Sequence, residues 1–463
     1  MKGLEVRVAS LALVRDNKDQ RIDSDFWTKE PYRNPALNYE PIGEHLKLSQ
    51  YGVSIEMNED GIGIPIYRMN EIHNMLCDLD VDKCAELDDR QARLFRLEPG
   101  DVLFNRTNSY EWVGRTGLFL GGGANAPVFA SYLVRFQTKK ETLLPEMLVA
   151  FLSSRFGSAD VKRRSRQSIN QTNVNPEEVK EIPVPLLDFK IQNWIAEKFG
   201  AAHSLQLAAS ERLVAAEQAL LAALGLAEWT PPEPLAYTAS AKDVFASGRF
   251  DARFFAPRIQ ALLDLLAVDG RTVADVADPR REKFKPDACE TFDYIEISDL
   301  DGAGATTSTR LASVDAPSRA TWHVRSGDII TSSVRPIRRL SSQIAPEQDG
   351  FVCSSGFVVV KPREIAPEVL LTYLRLPVIC ELLDLYASAS MYPAITDADI
   401  FNLPLPHIPD AVAYQVTQDV IAAKAAKANA ANLLEAAKRA VEIAIEEGEP
   451  AAIAYLDQTV EAI

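Results

Sequence analysis

The chain carries one pattern twice, and that duplication limits its possible folds more than any other feature. Arg21, Asp23 and Phe26 return as Arg249, Asp251 and Phe254. Glu98-Pro99-Gly100-Asp101-Val102-Leu103 returns as Arg325-Ser326-Gly327-Asp328-Ile329-Ile330. Ile182-Pro183-Val184-Pro185 returns as Leu403-Pro404-Leu405-Pro406, and each copy then enters a long alanine-rich segment. The offset of about 225 residues far exceeds the period of a solenoid or propeller, so a whole domain has been duplicated. The pattern predicts an α+β fold: two similar mixed α/β domains separated by two long antiparallel helices.

The boundaries follow from changes in periodicity. Residues 1–187 alternate short apolar runs with turn signals, including strand-like Ile64-Pro65-Ile66-Tyr67 and Gly117-Leu118-Phe119-Leu120. Leu143 to Ser153 has helical spacing. Asn175-Pro176-Glu177-Glu178 reads as a helix start, with Asn175 as N-cap and Glu178 placed for a capping box. Thr396-Asp397-Ala398-Asp399 repeats that logic. Over 188–225, Ile191, Trp194, Ile195, Phe199, Ala202, Leu205, Leu213, Ala216, Leu220 and Leu224 form a helical stripe ended by Gly225. At 1.5 Å per residue such a helix is about 55 Å long. Residues 226–409 hold the second copy. Residues 410–448 form a second long helix from Asp410 to Gly448, and 449–463 are left as a tail. The alanine density suits a close antiparallel pair, although two helices packed separately on their own domains fit the same pattern.

Composition places the chain among ordinary globular proteins, with 463 residues, 47% hydrophobic and 25% charged. No apolar run reaches the ~18 residues needed to span a bilayer, and the start lacks a signal-peptide core. Five cysteines form no CxxC pair, which suits a reducing, cytoplasmic setting. The net charge of −16 sets the chain apart from proteins that grip a duplex through a basic surface. Basic runs do occur at Lys162-Arg163-Arg164-Ser165-Arg166, at Arg280-Arg281-Glu282-Lys283-Phe284-Lys285 and at Arg335-Pro336-Ile337-Arg338-Arg339. Each is also compatible with a solvated surface.

Catalytic motifs are not visible. The chain has no Gly-x-Gly-x-x-Gly, no Walker loop and no Gly-x-Ser-x-Gly, and its five histidines lack metal-ligand spacing. No catalytic or metal residue is assigned. Two polar loops offer more. Asn105 to Arg115 contains Arg106, Asn108, Trp112 and Arg115; Arg166 to Asn173 contains Arg166, Gln167, Asn170, Gln171 and Asn173, and the basic run just before it adds Arg163 and Arg164 as candidates. Arginine addresses guanine, and asparagine or glutamine addresses adenine, through paired hydrogen bonds. The corresponding places of the second copy hold Ser333, Arg335, Arg338, Arg339, Ser390 and Tyr392. Matched frames with different loops are what two readers of different sequences require, and also what simple drift after duplication produces.

The order of these features resembles the specificity subunit of type I restriction–modification systems. The resemblance lies in Pro99 to Arg106, Ser168-Ile169-Asn170-Gln171-Thr172-Asn173, Ile182-Pro183-Val184-Pro185, and the second-copy runs Gly327-Asp328-Ile329-Ile330 and Leu403-Pro404-Leu405-Pro406. It implies two target-recognition domains, each reading half of a split site in double-stranded DNA, with the helices as spacer. It also implies docking to methyltransferase subunits, and it allows a motor–nuclease subunit as a further partner. S-adenosylmethionine, Mg2+ and ATP are then expected on those partners, and none in this chain. The second copy departs from the pattern, with Met391-Tyr392-Pro393-Ala394-Ile395 in place of the Asn-Gln-Thr-Asn run. A protein-interaction scaffold on the same architecture, or the specificity factor of a related anti-phage system, is the alternative.

Overall fold

The structure, a computed structural model, describes residues 8–16, 20–123, 125–169, 171–300, 304–387 and 394–460. The chain is mixed α/β and divides into two compact units, Met1–Ala208 with Ala426–Ile463, and Ala209–Ala425. No helix among the described residues is long and apolar enough to cross a membrane.

The main sheet of the first unit has six strands. Their spatial order is Leu46–Tyr51, Leu133–Thr138, Val102–Asn105, Thr116–Leu118, Leu76–Cys77 and Ile72–His73. The strand Val102–Asn105 is buried along its whole length. Its side chains alternate as the pleat requires: Val102 and Phe104 join one core with Met147, Leu148 and Phe151 of the helix Pro145–Ser153. Leu103 points into the other core, with Tyr67, Phe119 and Phe129. The second unit builds a four-stranded antiparallel sheet in the order Ala277–Pro279, Phe357–Pro362, Ile329–Ser332, Ser341–Gln343. A further four-stranded sheet runs Thr309–Ala312, Thr291–Ile295, Val352–Ser354, Ala320–His323.

The repeated sequence motifs form repeated local structures. Gly100 and Gly327 adopt φ of +96° and +84°, a conformation that favours glycine. The aspartates that follow accept from the amides of Glu98 (2.9 Å) and Arg325 (2.8 Å), closing the turn into each buried strand. Those carboxylates are themselves buried and answered by arginine: Asp101 by Arg135 at 3.2 Å and Asp328 by Arg280. In the Arg-x-Asp-x-x-Phe motif, Asp23 accepts from the Phe26 amide and Asp251 from the Phe254 amide, each at 3.0 Å. Arg21 and Arg249 pair with those aspartates and lie 4.9 and 4.7 Å from the centroids of the phenylalanine rings. Each also donates to the end of a helix, Arg21 to the Arg164 carbonyl (2.9 Å) of Arg155–Arg164 and Arg249 to the Leu385 carbonyl (2.8 Å) of Pro377–Tyr386. An arginine there meets the negative end of the helix dipole. The proline runs end as edge pairings, Pro183–Pro185 beside Tyr39–Pro41 and Pro404 beside Thr272. That position suits residues without an amide hydrogen.

The two long helices are Phe189–Ala223 and Asp410–Glu447. In the first unit, Ile191, Ile195 and Phe199 share a core with Leu434, Ala437, Val441 and Ile445. In the second unit, Ala216, Leu220 and Leu224 share a core with Val416 and Val420, and Arg212 pairs with Asp419 at 3.0 Å. The start of one helix thus packs on the end of the other, and the reverse, so they run antiparallel. Gly225 and Gly448, with φ of +71° and +96°, follow the ends of the two helices.

Two local expectations change. The segment read as a tail contains the helix Glu449–Val460, whose Ala452 and Leu456, one turn apart, are buried in the core that holds Trp194. The box expected around Asn175 closes fully only in the second copy, between Thr396 and Asp399. In the first, Asn175 accepts from the Glu177 amide (3.1 Å) while the buried Glu178 faces Arg166 at 3.2 Å and Arg21 at 3.7 Å.

Arg163 and Arg164, read as part of a basic surface run, are buried. Asp160, 2% exposed, lies one helical turn before them and pairs with both, and with Arg33 at 3.2 Å. Arg163 also donates to the Phe26 carbonyl (2.7 Å). Burial together with the neighbouring Arg33 pulls the Arg164 pKa down to about 10. Removing one partner of a buried charge cluster strands the others, at a cost of about 3–5 kcal/mol. Asp160→Ala should lower the urea unfolding free energy of the chain by that amount, and a loss under about 1 kcal/mol would place the cluster with ordinary surface pairs.

Candidate nucleic-acid interface

One end of the six-stranded sheet collects the polar loops. Strand register fixes which residues meet there: Val134 stands opposite Tyr51, Leu133 opposite Asn105, and Phe104 opposite Thr116. The ladder continues one step beyond the strands. The Asn105 amide donates to the Arg115 carbonyl (2.9 Å), and the Arg106 amide to the Tyr132 carbonyl (3.1 Å). Arg106 and Arg115 therefore leave adjacent strand ends. The Gly100-Asp101 turn lies at the opposite end of the central strand.

Beyond Arg106 the chain enters a second, small sheet that joins the two polar loops. Thr107–Asn108 pairs with Thr172–Asn173, which pairs with Arg166–Gln167. The Thr107 hydroxyl donates to Asn173 Oδ1 at 2.6 Å, and the Val174 amide donates to the Arg106 carbonyl at 2.9 Å. Residues 166 and 108, distant in sequence, are thus two strands apart. Gln167, Gln171 and Ile169 are exposed at the hairpin, Ile169 completely, and Arg166 is exposed but paired with Glu178. Asn108 is half-buried and accepts from the Ser109 amide at 2.8 Å.

Aromatic rings back the cations at this end. The Arg115 guanidinium lies 3.8 Å from the Trp112 ring centroid and donates to the Ile72 carbonyl (3.0 Å). Burial moves its pKa below the usual arginine range. Arg106 lies 5.2 Å from the Tyr51 centroid, and Lys162 lies 5.2 Å from that of Tyr110. Tyr51, Tyr110 and Trp112 remain 43–47% exposed. The sequence pointed to Arg106, Trp112 and Arg115 as candidates; Tyr51 and Tyr132, to which it did not point, come to this end through strand register alone.

The second unit repeats the frame with different side chains. Its Ser333 amide donates to the Gly356 carbonyl (2.8 Å), and the Ile395 amide donates to the Ser333 carbonyl (2.8 Å), which makes Ser333 the counterpart of Arg106. The Ser332 amide donates to Leu340 as Asn105 does to Arg115. Val334 bridges Ala394 as Thr107 pairs with Asn173. Arg335, just before the short helical turn Pro336–Arg338, and Arg338 at its end are exposed and make no ion pair among the described residues. Arg339 instead donates to the Arg375 carbonyl (2.6 Å) and pairs with Glu217. Asn170, Ser390 and Tyr392 lie outside the described residues. Among the described residues no cluster of three or more His, Cys, Asp or Glu side chains could hold a metal ion.

No protein-family model matches the chain. Two curated relatives do. The type I restriction enzyme MjaX specificity subunit of Methanocaldococcus jannaschii is 26% identical over 186 residues, 37% of this chain. The type I restriction enzyme EcoKI specificity subunit of Escherichia coli is 28% identical over 163 residues, 35% of this chain. The matched stretches span 42% and 34% of those relatives' own lengths. Among solved structures, the HsdS subunit from Thermoanaerobacter tengcongensis aligns over 91% of this chain and all of its own, with TM-score 0.30 and 17% identity. The S subunit of a type I restriction–modification system from M. genitalium aligns over 89% of this chain and 96% of its own, with TM-score 0.38 and 11% identity. The resemblance read from the ordered motifs is thus matched by curated sequences: this chain is similar to type I restriction specificity subunits.

If the two sheet ends read separate sequences, their substitutions must act separately. Arg106→Ala or Gln171→Ala should relax one half of a split DNA site, and Arg335→Ala the other, each at about 1–3 kcal/mol per lost paired contact. Methylation mapping of strains carrying each variant checks this; one pattern altered in both halves by a single substitution would contradict it.

Proposed function

We propose that this chain is the non-catalytic DNA-specificity subunit of a type I restriction–modification complex. The observation that carries the reading is the double construction of one local frame, in which three backbone hydrogen bonds recur, with Arg106 and Arg115 in one copy standing where Ser333 and Leu340 stand in the other. A scaffold preserved for a single partner has no need to repeat its backbone while changing the groups presented. A reader of a bipartite site has that need. The sequence similarity to type I specificity subunits supports the same reading.

On this proposal the unit bearing Arg106 reads one half-site of double-stranded DNA and the unit bearing Arg335 reads the other. Methyltransferase subunits dock on the chain and carry S-adenosylmethionine, and a motor–nuclease subunit with Mg2+ and ATP can join them. The acidic net charge assigns most phosphate neutralisation to those partners. Deleting the gene should abolish methylation at one split motif in the host genome, read by methylome sequencing. Persistence of every methylated motif would overturn the reading. The purified chain alone should bind DNA weakly, whereas the assembled complex binds tightly with a steep dependence on salt.

The long helices are proposed as the spacer between half-sites. Four residues inserted near Ala208 add about 6 Å of helix, close to two base-pair steps of about 3.4 Å. The gap in the methylated motif should then grow by one or two base pairs with both half-sites unchanged. An unchanged gap in an active complex would remove the helices from that role.

A further inference from the structure

We propose that the half-site read by the first unit contains guanine, recognised by the ring-backed arginines Arg106 and Arg115; this rests on the recognition reading above. Several arginines of this unit are tied to carboxylates. Arg21, Arg33, Arg163, Arg164 and Arg166 are committed to Asp23, Asp160 and Glu178. Arg106 and Arg115 have no carboxylate within ion-pair distance among the described residues, yet neither swings free. Each lies against an aromatic ring that is itself half-exposed, and each is oriented by a backbone carbonyl, Ser131 at 3.5 Å for Arg106 and Ile72 at 3.0 Å for Arg115. They leave adjacent strand ends, beside the polar hairpin.

That arrangement fits a base edge better than a phosphate. A phosphate contact needs positive charge within reach, which a flexible lysine supplies. The ring contact and the carbonyl contact on one nitrogen restrict each guanidinium; Arg106 Nε is buried, so its terminal nitrogens are the donors left for a ligand. Guanine presents the matching pair of acceptors, O6 and N7, in the major groove. Preorganisation reduces the ordering lost on binding, which matters in a chain whose charge of −16 supplies no long-range attraction. The second unit, with Ser333 and Leu340 at the two equivalent positions, lacks this device, so the two half-sites differ in how guanine is read.

The test uses the assembled complex and its own methylated motif. Replacing guanine with 7-deazaguanine removes N7 and leaves base pairing intact. Done one half-site at a time, it should weaken binding about tenfold or more in the first unit's half-site. In the host, Arg115→Lys keeps the charge and loses the fork, and should make the motif degenerate at a guanine of that same half-site. Tolerance of 7-deazaguanine in both half-sites, or a half-site assigned by Arg115→Lys that contains no guanine, overturns the inference alone. Uniform weakening at every DNA sequence would reassign both arginines to phosphates and overturn it equally. Absence of any bipartite motif would overturn the recognition reading, and this one with it.

Discussion

The buried carboxylate after each Gly-Asp turn holds the rest of the structure in register. Asp101 is 2% exposed and Asp328 1%, positions where a lone charge would be prohibitive. Each is answered by an arginine from a neighbouring segment and by the amide three residues before it. The central strand therefore enters its sheet at one defined residue. Strand side chains alternate between faces, so a slip of one residue would exchange Phe104 and Leu103 between two cores and carry Arg106 to the wrong side. The polar loops lie at the far end of that strand, and their placement is set by chemistry four residues away.

Much of this architecture was legible because it is written in local chemistry. The duplication, the Gly-Asp turns, the Asn175 and Thr396 caps, and the long helices closed by Gly225 and Gly448 all follow from residues near one another in sequence. What could not be read depends on register or on distant partners. Tyr51 reaches Arg106 through an alignment of strands about fifty residues apart. Arg163 and Arg164 looked like solvent-facing charge because Phe26, Arg21 and Arg33 are more than a hundred residues away. The helix after Gly448 was missed because its apolar stripe is only two residues deep and its cover, Trp194, sits on the other long helix. Nothing near them in sequence joins Arg166 and Gln167 to Asn108; the small sheet does.

The acidity of the chain acquires a different meaning once its arginines are traced. In the first unit several of them serve as internal struts around Asp160 and Glu178, so Arg163 and Arg164 offer no charge to an anion at the surface. Phe26 sits among three guanidiniums, at 4.6 to 5.6 Å, and fastens the amino-terminal segment to the helix Arg155–Arg164. Counting charges along the sequence overstates what the surface can offer an anion. Counting arginines that lack a carboxylate and are held in place gives a shorter and more useful list.

Arg21 touches both roots of the hairpin that carries Gln167 and Gln171. It donates to the Arg164 carbonyl just before the hairpin and faces Glu178 just after it. The entropy of closing that loop is therefore met by contacts outside it, whatever residues lie between. Substitution of the exposed Gln167 or Gln171 is then expected to cost little stability. On the function proposed above, such a segment is an exchangeable cassette, able to change the groups it presents while Arg21 keeps both of its roots in place.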